Sequence, residues 1–225
     1  MLFGVVLLKI NFFMNQCIQT HYSLQMETKV KPNVFLALPV TSDAVKENLE
    51  KVQQDYIGKD ERLKEFLVPI AGAHITLVVF HVEEERLVES KKILRKVFED
   101  KLEGKYFQSI VFKGLGKFGS KVVYAKPVEG QNVLTSIREV FSQQLLDHGF
   151  EVCGDGFNPH LTILKGKRQR GRRAKKCKQK IIQENFCLND DLFFGAQDVS
   201  SIHYLSMYKE KDELGGYFCE DTFNI

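Results

Sequence analysis

From Pro32 onward, short apolar runs alternate with stretches whose apolar residues recur every three or four positions. Asn33 to Val40 (NVFLALPV) predicts a buried strand ended by Pro39, and Thr41-Ser42-Asp43 then supplies helix-capping residues. Ala44, Val45, Leu49, Val52 and Tyr56 follow at helical spacing. Pro69 and Gly72 lead into His74 to His81 (HITLVVFH), a second predicted strand. Glu84 to Asp100 predicts an amphipathic helix with Leu87, Val88, Ile93, Leu94, Val97 and Phe98 on its apolar side. Tyr106 to Lys113, a Gly-rich turn, and Lys121 to Pro127 then predict a β-hairpin. Asn132 to His148 predicts a helix whose core side is Val133, Leu134, Ile137, Val140, Phe141, Leu145 and Leu146, with Gly149 as its C-cap. His160 to Lys165 (HLTILK) is again a short apolar strand, followed by a basic tract that merges into a helix through Phe186. Ser201 to Lys209 reads as a strand and Gly215-Gly216-Tyr217-Phe218 as a turn or closing hairpin.

Strand, helix, His-x-Thr strand, helix therefore occurs twice, with 86 residues between His74 and His160. A repeat on that scale predicts an α+β domain of two pseudo-symmetric lobes rather than a short-period solenoid. The expected domain covers residues 30–225, with lobes near 30–104 and 105–225 and the final strands open to exchange between them. Residues 1–29 are expected to lie outside the fold. Their apolar run Leu2 to Leu8 is broken by Lys9 and Asn11, too short for a membrane span and without the basic start or cleavage site of a secretory signal.

Composition adds two points. The chain carries 32 Lys and Arg against 29 Asp and Glu, a formal charge of +3 over 225 residues. Ten of those cations fall between Lys165 and Lys180 with no acid among them, and removing them leaves an acidic remainder. A generally basic, nucleic-acid-coating surface is thereby excluded, and one local tract needs explaining. It reads as a solvated loop, a nuclear localisation signal, or a cationic lip that draws phosphodiester chains to a site beside His160. The five cysteines form no C-x-x-C and no regular framework, which predicts free thiols, a reducing compartment and no structural metal.

The chemistry lies in Ala73-His74-Ile75-Thr76 and Pro159-His160-Leu161-Thr162. Residues i and i+2 of a strand share a face, so each segment aims one imidazole and one hydroxyl at the same space. Two such pairs across a cleft suit in-line displacement at phosphorus. One neutral imidazole takes the nucleophile's proton, and a protonated imidazole opposite supplies the leaving group's. The threonine hydroxyls donate to non-bridging oxygens. No metal or other cofactor is required by that scheme.

At these residues the chain resembles the 2H (two-histidine) phosphoesterase superfamily. Within it, Lys31-Pro-Asn-Val-Phe-Leu-Ala-Leu-Pro-Val40, His74-Ile-Thr-Leu and Phe157-Asn-Pro-His-Leu-Thr162 are similar to the central domain of the A-kinase anchoring protein 7 family. The resemblance implies a bilobal fold of two mainly antiparallel β-sheets lining a central groove, with helices outside. It implies binding of AMP- or CMP-like nucleotides and hydrolysis of 2′,5′-linked oligoadenylates. His74 and His160 inherit the acid and base roles, and Thr76, His160, Leu161 and Thr162 contact phosphate or nucleotide. The substrate partner is thus a nucleotide or short oligoribonucleotide, acted on by a monomer in the cytoplasm, the nucleus or both, without a membrane. No amphipathic docking helix follows the domain before Ile225, so anchoring of a kinase regulatory subunit is not expected.

Phe35, Phe118 and Tyr124 are candidates for stacking on a base. Gly114-Leu115-Gly116-Lys117-Phe118-Gly119 matches a dinucleotide fingerprint literally, but the strand-like Lys121 to Ala125 that follows predicts a hairpin turn instead. His81-Val82-Glu83 lacks the P-C-x-x-C partner of a zinc deaminase. Two other functions fit the same residues: opening of 2′,3′-cyclic phosphodiesters, and a nucleotide-binding sensor or adaptor without useful turnover. Intact His-x-Thr in both halves favours an enzyme, and sequence leaves open which histidine is the base.

Overall fold

A computed structural model describes residues 30–105, 107–154, 156–166 and 189–225. The expected extension at residues 1–29, and the basic tract from Lys167 with its expected helix through Phe186, lie outside the described residues. One compact unit spans Pro32–Ile225. Its elements in chain order are β1 (Val34–Pro39), α1 (Asp43–Lys59), β2 (His74–His81), α2 (Leu87–Lys101), β3 (Ile110–Phe118), β4 (Val122–Glu129) and α3 (Gln131–Asp147), then β5 (Glu151–Cys153), β6 (Leu161–Lys165), β7 (Phe193–Gln197), β8 (Ser201–Ser206) and β9 (Cys219–Asn224).

The strands form an antiparallel sheet in the order β7-β3-β4-β6-β2-β1-β8-β9, with β5 also paired to β2. Four strands on each side meet at a narrow seam between β6 and β2, where Ile75 and Leu161 are the register pair. The two sheets implied by the duplication are thus joined, edge to edge, at the strands that carry the histidines. The α+β class and antiparallel pairing are those expected, and the sheet is curled into a half-barrel.

The three α-helices among the described residues cover one face. Helix α1 packs on β7, α3 on β2 and β5, and α2 against α3 and β9. Helices α1 and α3 thus each cover strands of the opposite half, which ties the halves together. The core beneath them includes Leu36, Leu38, Phe80, Phe112, Phe141, Phe194 and Phe223. The other face carries no α-helix among the described residues and holds a small cluster of Phe35, Ala37 and Leu205, flanked by Val79 and Tyr217.

Local chemistry departs from expectation at several points. The glycines at 114 and 116 lie inside β3 rather than in a turn, and Gly119 alone turns the chain, at φ 54°. A Cβ on Gly114 would meet the Asp190 backbone at 3.1 Å, and one on Gly116 the Tyr124 ring at 2.4 Å, so these glycines serve close approach. Ser42 does not cap α1 with its side chain; the buried Gln197 Oε1 accepts from the Thr41 and Ser42 amides at 2.7 and 2.9 Å. Ala44 on α1 is exposed, as are Val88 and Leu146, while Ser90 and Ser142 take buried positions on α2 and α3. Strands β5 and β9 have no apolar signature of their own and take their conformation from neighbouring edges, whereas β7, an apolar run at Leu192 to Ala196, was not expected.

Candidate active site

In antiparallel register, the Ile75–Leu161 pair sets His74 across from Thr162 and Thr76 across from His160. Ile75 and Leu161 point into the core under the helices, so period-two geometry puts all four polar side chains on the helix-free face. Leu161, expected at the ligand, is fully buried, which leaves only its backbone for contact.

Each motif strand then departs from regular pairing one residue past its threonine. In β2, Val78 pairs with Leu36 and Thr76 with Ala37, so Leu77 is extra. In β6, Leu164 pairs with Val123 and Thr162 with Tyr124, so Ile163 is extra. Leu77 and Val78 both enter the core, as do Ile163 and Leu164. The bulge reverses the alternation beyond it, and the residue five past each histidine returns to the helix-free face. In β2 that residue is Val79; in β6 it is Lys165.

The two imidazoles are held alike. His74 Nδ1 lies 2.7 Å from the Gly72 carbonyl and His160 Nδ1 lies 2.8 Å from the Asn158 carbonyl. A carbonyl only accepts, so both Nδ1 atoms carry hydrogen and the Nε2 lone pairs face outward. Among the described residues neither Nε2 nor the hydroxyls of Thr76 and Thr162 have a hydrogen-bond partner.

Electrostatics separate them. Burial drives the His74 pKa down to about 4; the Gly72 hydrogen bond opposes this, and Lys165, Lys211 and His160 add to it. His160 is lowered by burial too, with the Asn158 hydrogen bond opposing and Lys165 assisting. Lys165 therefore acts on both imidazoles, and it makes no ion pair among the described residues. The sequence pattern assigns it to the basic tract, and only the bulge reveals it as part of the site.

Aromatic rings wall each histidine. His74 lies 5.1 Å from Phe35 and 5.7 Å from Tyr217, centroid to centroid, and Phe35 meets Tyr217 edge-on at 5.0 Å. His160 lies 4.8 Å from Phe118 and 5.4 Å from Tyr124, which stack on each other at 4.4 Å. All three predicted stacking residues thus reach the site. Phe35, however, is 2% exposed and supports His74 rather than offering a free face, whereas Phe118 and Tyr124 stay half-buried. Tyr217, placed only in a turn by the sequence pattern, completes the His74 wall. His203 is another unforeseen imidazole on this face, paired across from Ala37 and lowered in pKa by burial.

The residues from Met207 to Phe218 form a loop over the His74 side. Asp212 Oδ1 accepts from the Leu214 and Gly216 amides, and Gly215, at φ 86°, fits where a Cβ would be 2.6 Å from Pro69. The Gly215 carbonyl also crowds Gly72, whose own carbonyl holds His74. Glu220 secures the loop's far end. Burial opposes its charge, but hydrogen bonds from Lys209 and Lys91 prevail and hold the carboxyl below its usual range. The carboxylate is 1% exposed between those two ammonium groups, at 2.5 and 2.8 Å.

The family model for the AKAP7 2′5′ RNA ligase-like domain matches residues 32–225, which include both His-x-Thr motifs. The chain belongs to this family. It is 30% identical over 209 residues to human A-kinase anchor protein 7 isoform gamma, covering 87% of this chain and 58% of that protein. The chain thus spans somewhat over half the length of that curated relative. Among solved structures, Escherichia coli LigT complexed with 3′-AMP superposes with TM-score 0.58 at 12% identity, over 86% of this chain and 98% of that one. The Thermus thermophilus protein TT0787 gives 0.59 at 19% identity, over 85% and 97%. Its fold is the LigT-like fold.

Proposed function

We propose that the protein is a metal-independent phosphodiesterase that hydrolyses 2′,5′-linked oligoadenylates or a related 2′-phosphorylated nucleotide. The observation that carries this reading is the pair of outward Nε2 atoms, each fixed by an i−2 carbonyl and each across the seam from a free threonine hydroxyl. The phosphate sits between the imidazoles with its non-bridging oxygens on Thr76, Thr162 and Lys165. His74, whose pKa near 4 keeps it neutral at cellular pH, is the base. Water attacks phosphorus, His74 Nε2 takes its proton, and the P–O bond to the departing ribose oxygen breaks. His160 Nε2 delivers a proton to that oxygen, giving a phosphomonoester and an alcohol. A bound phosphate anion stabilises the imidazolium and raises the pKa of His160 from its lowered free value, so the substrate itself loads the acid. Phe118 and Tyr124 offer the base a stacking face.

LigT's complex with 3′-AMP supports a nucleotide ligand. Offering 2′,5′-triadenylate, 3′,5′-triadenylate and a 2′,3′-cyclic nucleotide with EDTA present tests the reading. Preferred cleavage of the first is expected. Cleavage of the cyclic nucleotide alone would shift the substrate class, AMP binding with no turnover would make the protein a sensor, and loss of all turnover in EDTA would end the metal-free mechanism. A single species at monomer mass in light scattering is expected. Among the described residues no helix is long and apolar enough to cross a membrane. The tract at 165–180 acts as a nuclear import signal, and a reporter carrying it that stays evenly spread would remove that role.

A further inference from the structure

Lys211 is not needed by the chemistry above, yet it is built into the same wall. Its ammonium lies 3.7 Å from the centre of the Tyr217 ring and donates to the Gly215 carbonyl at 3.2 Å. Tyr217 in turn meets His74 edge-on. A carboxylate partner is missing among the described residues: the neighbouring Asp212 is engaged by the turn amides, and Glu220 is shared by Lys91 and Lys209. Lys209, two residues away in the same loop, shows how a cation in this region is otherwise neutralised. Burial lowers the Lys211 pKa and Lys165 lowers it further, with Asp212 opposing.

Lys165 and Lys211 therefore repel one another beside the imidazoles, and neither has a carboxylate partner among the described residues. Such like-charge crowding costs free energy until an anion enters. A phosphodiester brings one negative charge, and Lys165, which acts on both histidines, already meets it. Lys211, held over Tyr217 and acting on His74 but not on His160, is left for a second charge.

We propose that Lys211, presented by Tyr217 and the Gly215 carbonyl, forms a second anion subsite that takes a terminal phosphomonoester of the ligand. The preferred ligand is then a short oligonucleotide or nucleotide carrying a phosphate besides the one between the histidines. This rests on the reading of the site as one for phosphate esters, and deepens it.

The test measures binding of 2′,5′-diadenylate with a 5′-phosphate, with a 3′-phosphate and with neither, to wild type, Lys211→Gln and Lys211→Arg. Wild type is expected to bind one of the phosphorylated forms about tenfold more tightly than the bare diester, the worth of one charge-assisted hydrogen bond. Which form gains tells at which end the subsite lies. That ratio falls below about threefold in Lys211→Gln and returns in Lys211→Arg. The arginine variant keeps the test informative should the glutamine variant misfold. No gain from either phosphate in wild type, or a gain that survives in Lys211→Gln, overturns the proposal. Turnover is scored separately: a phosphate-dependent gain without cleavage keeps the subsite and rejects the phosphodiesterase, and cleavage without that gain does the reverse.

Discussion

The two histidine sites are built from one plan and tuned apart. Each has an imidazole pinned to the carbonyl two residues before it, a threonine two residues after, a bulge beyond that and two aromatic walls. On the His160 side the walls are Phe118 and Tyr124 from the adjacent hairpin, seated over a glycine. On the His74 side one wall is Tyr217, carried by a loop from the end of the chain that also brings Lys211. The loop deepens the burial of His74 and sets a cation beside it. The lesson is that duplication supplies two equivalent groups, and unequal surroundings set them apart, as the proposed division into base and acid requires.

Removing either imbalance should show which half does what. His74→Ala and His160→Ala should each lower turnover of an oligonucleotide by at least about a hundredfold. With an aryl phosphodiester, whose leaving group departs without protonation, His160→Ala should recover most of the rate and His74→Ala should not. The opposite pattern would exchange the two roles.

Thr76→Val and Thr162→Val keep the β-branched shape and delete one hydroxyl each. Each should cost about tenfold to a hundredfold in kcat, by loss of one donor to the phosphoryl oxygens. Equal losses fit one phosphate held between the halves; a loss confined to one variant would place the phosphate on one side.

Smaller effects should come from the glycines behind the walls. Gly116→Ala displaces Tyr124, whereas Gly215→Ala strains a backbone at φ 86° and presses on Pro69. Both should cost about 1–3 kcal/mol in stability. Imidazole resonances followed by NMR should show Gly116→Ala shifting the titration of His160 and Gly215→Ala that of His74. Crossed responses would show that the walls are not independent.

The smallest effect is a pH dependence of stability. His74 titrates near 4 when folded and near 6.5 when unfolded. The unfolded chain therefore binds the proton first, and stability present above about pH 6.5 is lost as the pH falls towards 4. His74→Gln should flatten the fall in Tm over that window, and His160→Gln should flatten it less. Identical slopes would contradict the deeper burial of His74.

The facing of His74, Thr76, His160 and Thr162 was legible because it depends on the shortest-range rule in the fold: residues two apart on a strand share a face. The same rule misplaces Lys165, since unbroken alternation from His160 would send Leu164 to the open face and Lys165 into the core. The bulge at Ile163 reverses this, and it exists only because β4 pairs with β6 out of step. The glycines at 114 and 116 looked like turn formers, yet what demands them is the Asp190 backbone and the Tyr124 ring, neither adjacent in sequence.

By itself, then, the sequence determined the strands and helices of strong period, the duplication and the facing of two His-x-Thr pairs. These follow from local backbone geometry and from where apolar side chains must be hidden. Only the tertiary structure decided how the halves join at Ile75 and Leu161, that Lys165 enters the site, and that Tyr217 and Lys211 close the His74 side. Strand pairing and loop packing depend on residues far apart in the chain, and no local pattern encodes which of them will meet.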